Sequence, residues 1–353
     1  MAKVIVAMSG GIDSSVTAFL LKKAGFEVIG ITLRLFKKNS KCCGGDESIE
    51  KFKKICHKIG IKYYIKNAIN IFEKEVVEEF VKDYISGKTP NPCVECNRKL
   101  KFEYLFNIAK SLGADFFATG HYAIVEKSTN GEYFLKRGID KEKDQSYFLY
   151  PIKKEILPYI IFPLGNLLKE NVKKIAQENN IPVNINIESK DICFIEGGNY
   201  SLWLKKNGYA NSSDGYIKDT GGKILKKHNG LYNFTIGQRK KIGVSSTERL
   251  YVIDTIPGEN TVIVGKHSEA FSKGMIIKNL NWFVDPIDLQ NKKIYAQIRY
   301  RHIPKPGKLI KKGENNIEFM FNEREFAVTK GQSCVFYEND RVIGGGIIEE
   351  VIR

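Results

Sequence analysis

The segment Ser9–Ser15, with the sequence SGGIDSS, most constrains the fold. It follows Lys3–Met8, an apolar and β-branched run without polar alternation, which is typical of a strand buried on both faces. The next segment, Ser14–Ala24, places apolar residues at near-helical intervals. The sequence therefore predicts a strand, a glycine-rich loop and a helix in direct succession.

The same alternation of strand and helix continues as far as Thr119. Such crossover units indicate a parallel sheet, so the predicted fold class is α/β, with a doubly wound parallel sheet. The further elements predicted are the strands Glu27–Leu33, Lys62–Lys66 and Asp115–Thr119 and the helices Glu47–Ile59, Ile71–Ser86 and Arg98–Ser111.

The pattern changes beyond Tyr122. A hairpin across Asn130-Gly131 comes first, joining Ala123–Glu126 to Tyr133–Arg137, and helices are expected around Lys153–Asn179. After Gly197-Gly198 the chain becomes rich in glycine and lysine. Short strands beyond Asn279 then predict a small β-barrel: Lys293–Tyr300, Asn316–Phe321, Ala327–Thr329, Ser333–Tyr337 and Gly346–Ile352. We expect three domains, 1–200, 201–275 and 276–353.

Charge and composition restrict the function classes. The 353 residues carry a formal charge of +16, which favours a polyanionic partner, although a Lys-, Asn- and Ile-rich composition contributes to it. Apolar runs such as Val4–Met8 are far shorter than the roughly 20 residues of a membrane-spanning helix. We expect a cytoplasmic protein without a membrane partner, because the amino terminus lacks a secretory signal pattern and seven irregularly spaced cysteines form no disulfide scaffold.

The loop Ser9–Ser15 has the chemistry of an anion site. Its glycines allow close backbone approach, the helix start supplies N–H groups, and Asp13 could orient a divalent cation. An ordinary tight turn with a serine cap is the simpler explanation of a two-glycine loop, but the whole string after a strand disfavours it. The loop lacks the Gly-Lys-Ser/Thr ending of the common nucleotide loop, which argues against phosphate-transferring NTPases.

Two segments contain cysteines whose surroundings are typical of reactive thiols. Prolines fix the backbone of TPNPCVECN, Thr89–Asn97, and hold Cys93 and Cys96 on one short segment. Cys193 lies in SKDICFI, Ser189–Ile195, among charged residues. Two activated thiols brought together could relay a persulfide. Structural zinc is the alternative, but the second CxxC that would complete such a site is missing.

The nucleotide loop resembles the PP-loop ATP pyrophosphatase family, whose members form an adenylate and release pyrophosphate. The resemblance narrows to the tRNA-specific 2-thiouridylases and runs nearly end to end. The motifs that carry it, in the family's order, are SGGIDSS, TPNPCVECN, ATGHYA, KDQSYFL, SKDICFI, FTIGQRK and a late GGG.

This resemblance implies sulfur insertion at C2 of the wobble uridine of tRNA. ATP with Mg²⁺ would adenylate the C2 oxygen, a persulfide on Cys193 would deliver sulfur, and Cys96 would be the nucleophile that releases it. A Cys96–Cys193 disulfide would then form. The implied partners are tRNA and a persulfide donor, either a cysteine desulfurase or a sulfur-relay protein.

The resemblance also implies which residues bind ATP and tRNA. The simpler alternative for each is that it belongs to an exposed polar loop without a binding role. The implied ATP contacts, with Asp13 also catalytic, are Ala7, Met8, Ser9, Gly10, Gly11, Ile12, Asp13, Ser14, Leu33 and Gly120. The implied tRNA contacts are Asn91, Pro92, Cys93, His121, Lys143, Asp144, Gln145, Tyr300, Arg301 and Gln332. The basic segment Gly237–Lys241 is expected to contact tRNA phosphates from a central tRNA-binding domain.

One departure from the family's common form affects the mechanism. Cys93 stands where many members have Asp, and Cys42 and Cys43 are additional cysteines. Cys93, Cys96 and Cys193 could instead hold an iron–sulfur cluster whose open iron carries hydrosulfide.

Other functions also compete with thiolation. Another PP-loop ligase, such as a tRNA lysidine synthase or an amidotransferase synthetase, would not need the two thiols. An RNA-binding iron–sulfur or zinc protein would not need SGGIDSS. Cys56, His57 and Cys334 carry no motif and receive no role.

Overall fold

The computed structural model describes residues 1–36, 44–186, 192–210, 213–289, 292–312 and 316–353. Cys42 and Cys43, and Lys190 and Asp191 of the SKDICFI motif, lie outside the described residues. None of the described helices is long and apolar enough to cross a membrane.

The first part of the chain alternates strands and helices, as predicted. In chain order its elements are β1 (Lys3–Ala7), α1 (Ile12–Lys23), β2 (Glu27–Arg34), α2 (Asp46–Ile59), β3 (Lys62–Asn67), α3 (Ile69–Phe72), α4 (Glu79–Ile85), α5 (Pro92–Glu95), α6 (Phe106–Ser111), β4 (Phe116–Thr119), β5 (Ala123–Lys127), β6 (Tyr133–Arg137), β7 (Ile160–Ile161), α7 (Lys169–Glu178) and α8 (Tyr200–Lys206). The π-helical stretches Glu73–Glu78 and Cys96–Leu105 join α3 to α4 and α5 to α6. Residues 69–85 and 92–111 are therefore two continuous helices.

A parallel sheet with the strand order β3-β2-β1-β4-β7 organises this part of the chain. Successive residues of β1 point to opposite faces: Val4 and Val6 pack with residues of α1, α2 and α7. Ile5 packs on the other face, with residues of the two continuous helices. Because β1 is buried on both faces, the prediction of a doubly wound α/β fold is confirmed.

The segment between the hairpin β5–β6 and α7 differs from the prediction. Helices were expected around Lys153–Asn179, but Lys154–Tyr159 is a 3₁₀ helix that contains Pro158 and leads into β7. Proline lacks the N–H that an α-helix interior requires. Other 3₁₀ turns in the described chain are Ser146–Phe148, Glu196–Gly198, Leu231–Asn233, Pro257–Glu259, His267–Ala270 and Pro286–Leu289.

A second sheet follows α8. Its strands are β8 (Gly215–Asp219), β9 (Ile224–His228), β10 (Tyr251–Ile256) and β11 (Thr261–Gly265), in the order β10-β11-β8-β9. Its own apolar core includes Ile217, Val252, Val262 and Val264. This separate core makes the middle of the chain a distinct packing unit.

The final sheet is a closed antiparallel barrel, as expected. Its strands are β12 (Phe271–Trp282), β13 (Ile294–Gln297), β14 (Lys305–Lys312), β15 (Asn316–Phe326), β16 (Ser333–Glu338) and β17 (Arg341–Ile352). The first strand, β12, pairs with both β15 and β17, which closes the sheet. The expected domain boundary between residues 275 and 276 falls within β12.

Three details of the predicted barrel are wrong. Strands β12 and β14 were not predicted, and the predicted strand Ala327–Thr329 is irregular, with Ala327 in a turn. Ala327 has a φ of +54°, which belongs to the left-handed region and ends the extended strand β15.

The hairpin of the first domain joins the barrel through Arg137. Strand β6 pairs with β17, and the Arg137 guanidinium carbon lies 3.8 Å from the centroid of the Tyr337 ring. Arg137 Nη2 donates to Gln297 Oε1 at 2.8 Å, and Nη1 donates to Asp144 Oδ2 at 3.3 Å. One arginine therefore connects the α/β domain to two barrel strands.

Asp144 completes this junction from inside the protein. It accepts hydrogen bonds from the main-chain N–H of Gly138 at 3.0 Å, the N–H of Ser146 at 3.1 Å and the Ser146 hydroxyl at 2.9 Å. Burial raises the pKa of Asp144, and the Arg137 cation and these donors oppose the rise. The buried carboxylate thus balances the charge of the half-buried Arg137 guanidinium.

We expect Asp144→Ala to destabilise the protein strongly, because it leaves the Arg137 guanidinium, whose side chain is only 14% exposed, without its carboxylate. Breaking a buried pair on one side typically costs about 3–5 kcal/mol. The free energy of unfolding in urea should fall by that order. Asp340→Ala is the matched control, because Asp340 forms an exposed pair with Lys141 at 2.7 Å; its loss should cost less than about 1 kcal/mol. Equal losses in the two variants would contradict this account.

Candidate active site

The nucleotide loop requires glycine for both conformation and space. Gly10 has a φ of +79°, in the left-handed region, and Gly11 directly precedes α1. A Cβ at Gly10 would lie 2.9 Å from the Ser48 carbonyl oxygen of α2. The backbone of the loop is therefore packed tightly against the neighbouring helix.

Hydroxyl groups hold the first turn of α1. The side chains of Ser14 and Ser15 donate to the Gly11 carbonyl oxygen at 3.1 and 2.7 Å, and the Ser9 N–H donates to Ser14 Oγ at 3.2 Å. The first N–H groups of a helix have no partner within the helix and attract anions. The loop and the start of α1 together form a cradle suited to phosphate.

Gly120, which follows β4, closes the other side of this loop. A Cβ there would lie 2.8 Å from both the carbonyl carbon of Asp13 and the nitrogen of Ser14. Because β1 and β4 are neighbours, the cradle lies at the carboxyl edge of the sheet, where open α/β sheets bind ligands.

The remaining residues predicted to contact ATP lie near the same edge. Ala7 ends β1, and the Met8 N–H donates to the Ile31 carbonyl oxygen at 2.8 Å. Leu33 lies near the end of β2, and Ile12 begins α1. The side chains of Met8, Ile12 and Leu33 are buried.

Asp13 is held by Lys169, a residue that was not predicted to belong to the site. Lys169 Nζ lies 2.6 and 2.8 Å from the two Asp13 carboxylate oxygens, and the Tyr122 hydroxyl donates to Oδ1 at 2.8 Å. The Lys169 side chain is only 7% exposed, although the residue begins helix α7. The sequence holds no local signal for Lys169, because its contact with Asp13 arises only where α7 packs against α1.

His121, the next residue after Gly120, is buried between two polar partners. Its Nδ1 lies 2.6 Å from Thr119 Oγ1, and its Nε2 lies 3.4 Å from Lys101 Nζ. Burial, together with the nearby Lys101 cation, holds the pKa of His121 well below its ordinary value. The imidazole is therefore neutral at physiological pH.

The cysteine loop, which is the segment Thr89–Asn97, is positioned by the barrel. Its first residue, Thr89, donates its N–H to the Lys330 carbonyl oxygen at 2.9 Å and accepts from Gln332 Nε2 at 2.8 Å. Gly331 packs so closely that a Cβ would lie 2.9 Å from the Thr89 nitrogen. The loop then enters α5 at Pro92, so Cys93 and Cys96 lie in the first turns of the continuous helix 92–111.

Cys96 and Cys193 pack against the same apolar core, which also contains Ile5 of β1 and Phe117 of β4. Cys93 is exposed, whereas Cys96 and Cys193 are half-buried. Phe194 anchors the segment of Cys193, with its ring 5.2 Å from that of Trp203. The predicted disulfide between Cys96 and Cys193 stays a prediction.

The residues predicted to contact tRNA differ in exposure. Asp144 is buried in the junction described above, and Gln145 Oε1 accepts from the Tyr122 N–H at 3.1 Å. Arg301 is exposed, with its guanidinium carbon 5.5 Å from the Tyr300 ring centroid. Lys143 is half-buried. Arg301 and Cys93 are thus the members of this set that are exposed, Tyr300 is half-buried, and Asp144 serves the interior.

A resident metal does not fit the described side chains. No group of three or more His, Cys, Asp and Glu residues within the described ranges could hold a metal ion. Cys93, Cys96 and Cys193 therefore do not form a ready iron–sulfur site in this structure, and Asp13 is bonded to Lys169 instead of joining an acidic cluster.

The fold and the phosphate cradle define a nucleotide-binding α/β protein. Family models match in three parts: the tRNA methyl transferase HUP domain over residues 2–197, the tRNA methyl transferase PRC-barrel domain over residues 205–266 and the aminomethyltransferase beta-barrel domain over residues 272–348.

Relatives that match over their full length identify the family of this chain. The chain is 39% identical to the tRNA-specific 2-thiouridylase MnmA of Clostridioides difficile (strain 630), covering 99% of this chain and 98% of that protein. It is 41% identical to the protein of that name from Halothermothrix orenii, covering 99% of each chain. The chain belongs to the tRNA-specific 2-thiouridylase family. A solved 4-thiouridine synthetase–RNA complex with bound ATP is more distant, with 18% identity, a TM-score of 0.38 and coverage of 54% of this chain and 43% of that one.

We expect Asp13→Ala to reduce both stability and pyrophosphate release from ATP in the presence of tRNA, because it leaves the Lys169 ammonium buried without its carboxylate. The double variant Asp13→Ala/Lys169→Met should regain about 1–3 kcal/mol of stability relative to the single variant without regaining activity. Urea unfolding and a pyrophosphate assay measure the two effects. Lys173→Met, on the same helix, is the control, since Lys173 pairs with Glu170 at the surface. Wild-type pyrophosphate release in Asp13→Ala would refute the role of this carboxylate.

Proposed function

We propose that this chain is a tRNA-uridine 2-sulfurtransferase that uses ATP to replace the C2 oxygen of the wobble uridine with sulfur. The observation that carries the proposal is that Cys96 and Cys193 both pack against one apolar core, to which β1 and β4, the two strands that carry the nucleotide cradle, also contribute residues. The names of the full-length relatives support the same reaction.

The first step is adenylation. The uridine C2 oxygen attacks the α-phosphorus of ATP, the bond from this phosphorus to the bridging oxygen breaks, and pyrophosphate leaves with the electron pair while the uridine N3 proton passes to water. The loop Ala7–Ser14, with Leu33 and Gly120, is proposed to bind ATP, and the N–H groups at the start of α1 to face its phosphates.

The second step transfers sulfur. The terminal sulfur of a Cys193 persulfide attacks C2, and AMP leaves. The Cys96 thiolate then attacks the sulfur of Cys193, which forms the Cys96–Cys193 disulfide and releases 2-thiouridine. The transferred sulfur gains the electron pair that the two thiols lose, so an external thiol must reduce the disulfide before the next turnover.

The persulfide must come from a partner protein, for which a cysteine desulfurase or a sulfur-relay protein is proposed. The cycle needs reduced thiols, so we propose a cytoplasmic location, where thiols stay reduced. We further propose that Mg²⁺ arrives bound to ATP, because the described residues form no acidic cluster to hold it. No step is assigned to an iron–sulfur cluster, since the three thiols do not form its ligand set in this structure.

The central domain offers a basic surface for tRNA. A surface cavity of about 310 Å³ is lined by Arg239, Lys241 and Arg249, while Glu248 beside them pairs with Lys266 at 3.0 Å. Cations grouped in this way attract backbone phosphates. With the chain's net charge of +16, this cavity supports tRNA as the polyanionic partner.

The thiolation assay tests the proposed chemistry. Wild-type protein with ATP, Mg²⁺, a persulfide source and unmodified tRNA should produce 2-thiouridine, detected by mass spectrometry of the digested RNA. Cys96→Ser and Cys193→Ser should each abolish it, because each removes a sulfur that the cycle requires. Cys93→Asp, the matched change on the same loop, should remain active. Pyrophosphate release without thiolation in both serine variants would agree with the proposal, because adenylation precedes the steps that use the thiols. Full thiolation in either variant would refute the thiol relay.

Iron analysis separates the persulfide relay from the cluster alternative. Protein purified without oxygen should thiolate tRNA without stoichiometric iron and sulfide. If iron is bound and Cys93→Asp loses both iron and activity, the cluster mechanism replaces the relay.

We expect Arg239→Ala combined with Arg249→Ala to weaken tRNA binding and its dependence on salt. Each lost phosphate contact should reduce the slope of log affinity against log salt by roughly one unit or slightly less. Binding titrations across a salt series measure this slope. Lys82→Ala, an exposed change on α4, is the comparison. Unchanged affinity and slope in the double variant would remove the cavity from the RNA surface.

A further inference from the structure

A tight turn in the barrel carries Tyr300 and Arg301, two of the residues predicted to contact tRNA. The His302 N–H donates to the Arg299 carbonyl oxygen at 3.1 Å, which closes a four-residue turn between β13 and β14. Arg301 has a φ of +62°, in the left-handed region that favours glycine. This exposed arginine therefore has a strained backbone conformation, and such strain persists only where the surrounding structure imposes it.

His302 anchors this turn inside the barrel. Its side chain is 6% exposed, and its Nε2 lies 3.2 Å from Oε1 of Glu325, whose side chain is 10% exposed. Burial alone would raise the pKa of Glu325, but the His302 ring, the Phe326 N–H and the Lys305 cation lower it below the ordinary value. Glu325 is therefore a carboxylate at neutral pH. Because a carboxylate only accepts hydrogen bonds, Nε2 of His302 carries a proton that faces it.

The buried pair of His302 and Glu325 is costly for the interior, which argues for a role other than stability. Neither ring nitrogen of His302 makes a well-aligned hydrogen bond to any of the described residues. Buried polar groups usually have such partners, and apolar residues of similar volume often stabilise a protein at least as well as a buried ion pair. An apolar residue at position 302 would suit the barrel core, so the histidine is better explained by the orientation that it gives to the turn.

The other end of the turn is bonded to the same part of β15. Arg299 Nη1 donates to the Phe326 carbonyl oxygen at 3.3 Å, and the Arg299 carbonyl oxygen accepts from Gln297 Nε2 at 3.1 Å. Gln297 also accepts from Arg137, which belongs to the junction between the α/β domain and the barrel. Both ends of the turn, Arg299 and His302, are thus anchored on either side of the two residues predicted to contact tRNA.

The end of β15 also meets the central domain. Gly237, which begins the basic segment Gly237–Lys241, has a φ of +81°. A Cβ at Gly237 would lie 2.7 Å from the Ala327 Cβ and 3.5 Å from a carbon of the Phe326 ring. Residues 325–327 are therefore in contact with the Tyr300–Arg301 turn on one side and with the basic segment on the other.

We propose that His302 and Glu325 are positioning residues for RNA binding, and that their buried pair fixes the Arg301 turn relative to the basic segment Gly237–Lys241. This proposal rests on the proposed function, because it takes tRNA as the polyanion that contacts both segments. Fixing two cationic segments before RNA arrives lowers the entropic cost of binding. Without the pair, Arg301 relaxes out of the left-handed region and its RNA contact is lost.

Titration with tRNA tests the pair. His302→Leu fills the space without an N–H, so affinity for tRNA should fall about 10-fold, the order expected for the loss of one contact to a charged group. His302→Gln, whose amide supplies an N–H, should restore most of the affinity. Glu325→Gln should also bind weakly, whereas Glu338→Gln, its matched control, should bind normally, because Glu338 pairs with Lys292 at 3.1 Å nearer the barrel surface. Wild-type affinity in His302→Leu would overturn the proposal.

A double-mutant cycle tests whether His302 acts through Arg301. Arg301→Ala should weaken tRNA binding, and His302→Leu/Arg301→Ala should bind no more weakly than the weaker single variant, because both changes remove the same RNA contact. At saturating tRNA, His302→Leu should release pyrophosphate at the wild-type rate, since the change affects binding alone. If the two losses of affinity multiply, His302 contributes separately from Arg301 and its positioning role is refuted.

Proteolysis of the free protein separates failure of the pair from failure of the proposed function. Trypsin cleaves after arginine, and cleavage within a folded turn requires local opening. Cleavage after Arg301, followed by mass spectrometry, should be about 10-fold faster in His302→Leu than in the wild type, because the opened turn is more populated. Glu338→Gln should be cleaved at the wild-type rate. Thermal unfolding of each variant separates local opening from loss of the fold.

The two measurements then have distinct outcomes. If His302→Leu is cleaved faster and binds tRNA more weakly while the wild type never thiolates tRNA, the proposed function is wrong and the positioning role stands. If the wild type thiolates tRNA and His302→Leu matches it in cleavage and in affinity, the proposed function stands and the positioning role falls.

Discussion

The close approach of Gly120 to the nucleotide loop is the constraint on which the site depends. The space for a Cβ is already filled, since it would lie 2.8 Å from the backbone of Asp13 and Ser14. This contact fixes the end of β4 against the start of α1. It also determines where the next residue, His121, presents its imidazole, and hence where the Lys101 ammonium lies. The lack of a side chain at Gly120 therefore allows the phosphate cradle and the end of β4 to pack in direct contact.

A second constraint acts on residues 87–89, where the chain enters the cysteine loop. Gly87 accepts a hydrogen bond from the Thr255 hydroxyl of the central domain at 3.0 Å, while Thr89 is bonded on both sides by the barrel. Lys88 between them lies 3.3 Å from the Glu349 carboxylate of β17. Each of these bonds contributes only about 0.5–1.5 kcal/mol, but together they fix both ends of three consecutive residues. The position of the thiols consequently depends on all three packing units, although the cysteines belong to the first.

The sequence predicts those features that local pattern determines. Buried β-branched runs indicate the parallel sheet, and SGGIDSS after such a run indicates the cradle. Contacts between distant segments were not predictable in this way: Lys169 meets Asp13 only because α7 packs against α1. Strand β14, with the sequence KPGKLIKK, is rich in lysine and resembles a polar loop, but as a barrel strand it can direct those lysines to solvent. The structural role of Asp144 was not predictable either, because Asp144 belongs to the motif KDQSYFL, which predicts an RNA contact, and its partner Arg137 lies outside that motif.

Gln332 is predicted to contact RNA, and its side chain also has a partner inside the protein. Its Nε2 donates to the Thr89 carbonyl oxygen, but a primary amide has a second N–H and a carbonyl oxygen with two lone pairs. An RNA hydrogen bond to those atoms would not require the bond to Thr89 to break. Because an amide held at one end loses less rotamer freedom when it binds at the other, the bond to Thr89 also lowers the entropic cost of an RNA contact. Contact with RNA at the barrel would in turn restrain Gln332 and Thr89, and through them the loop that carries Cys93 and Cys96. If RNA binds Gln332 as predicted, recognition at the barrel and alignment of the thiols are linked through this single side chain.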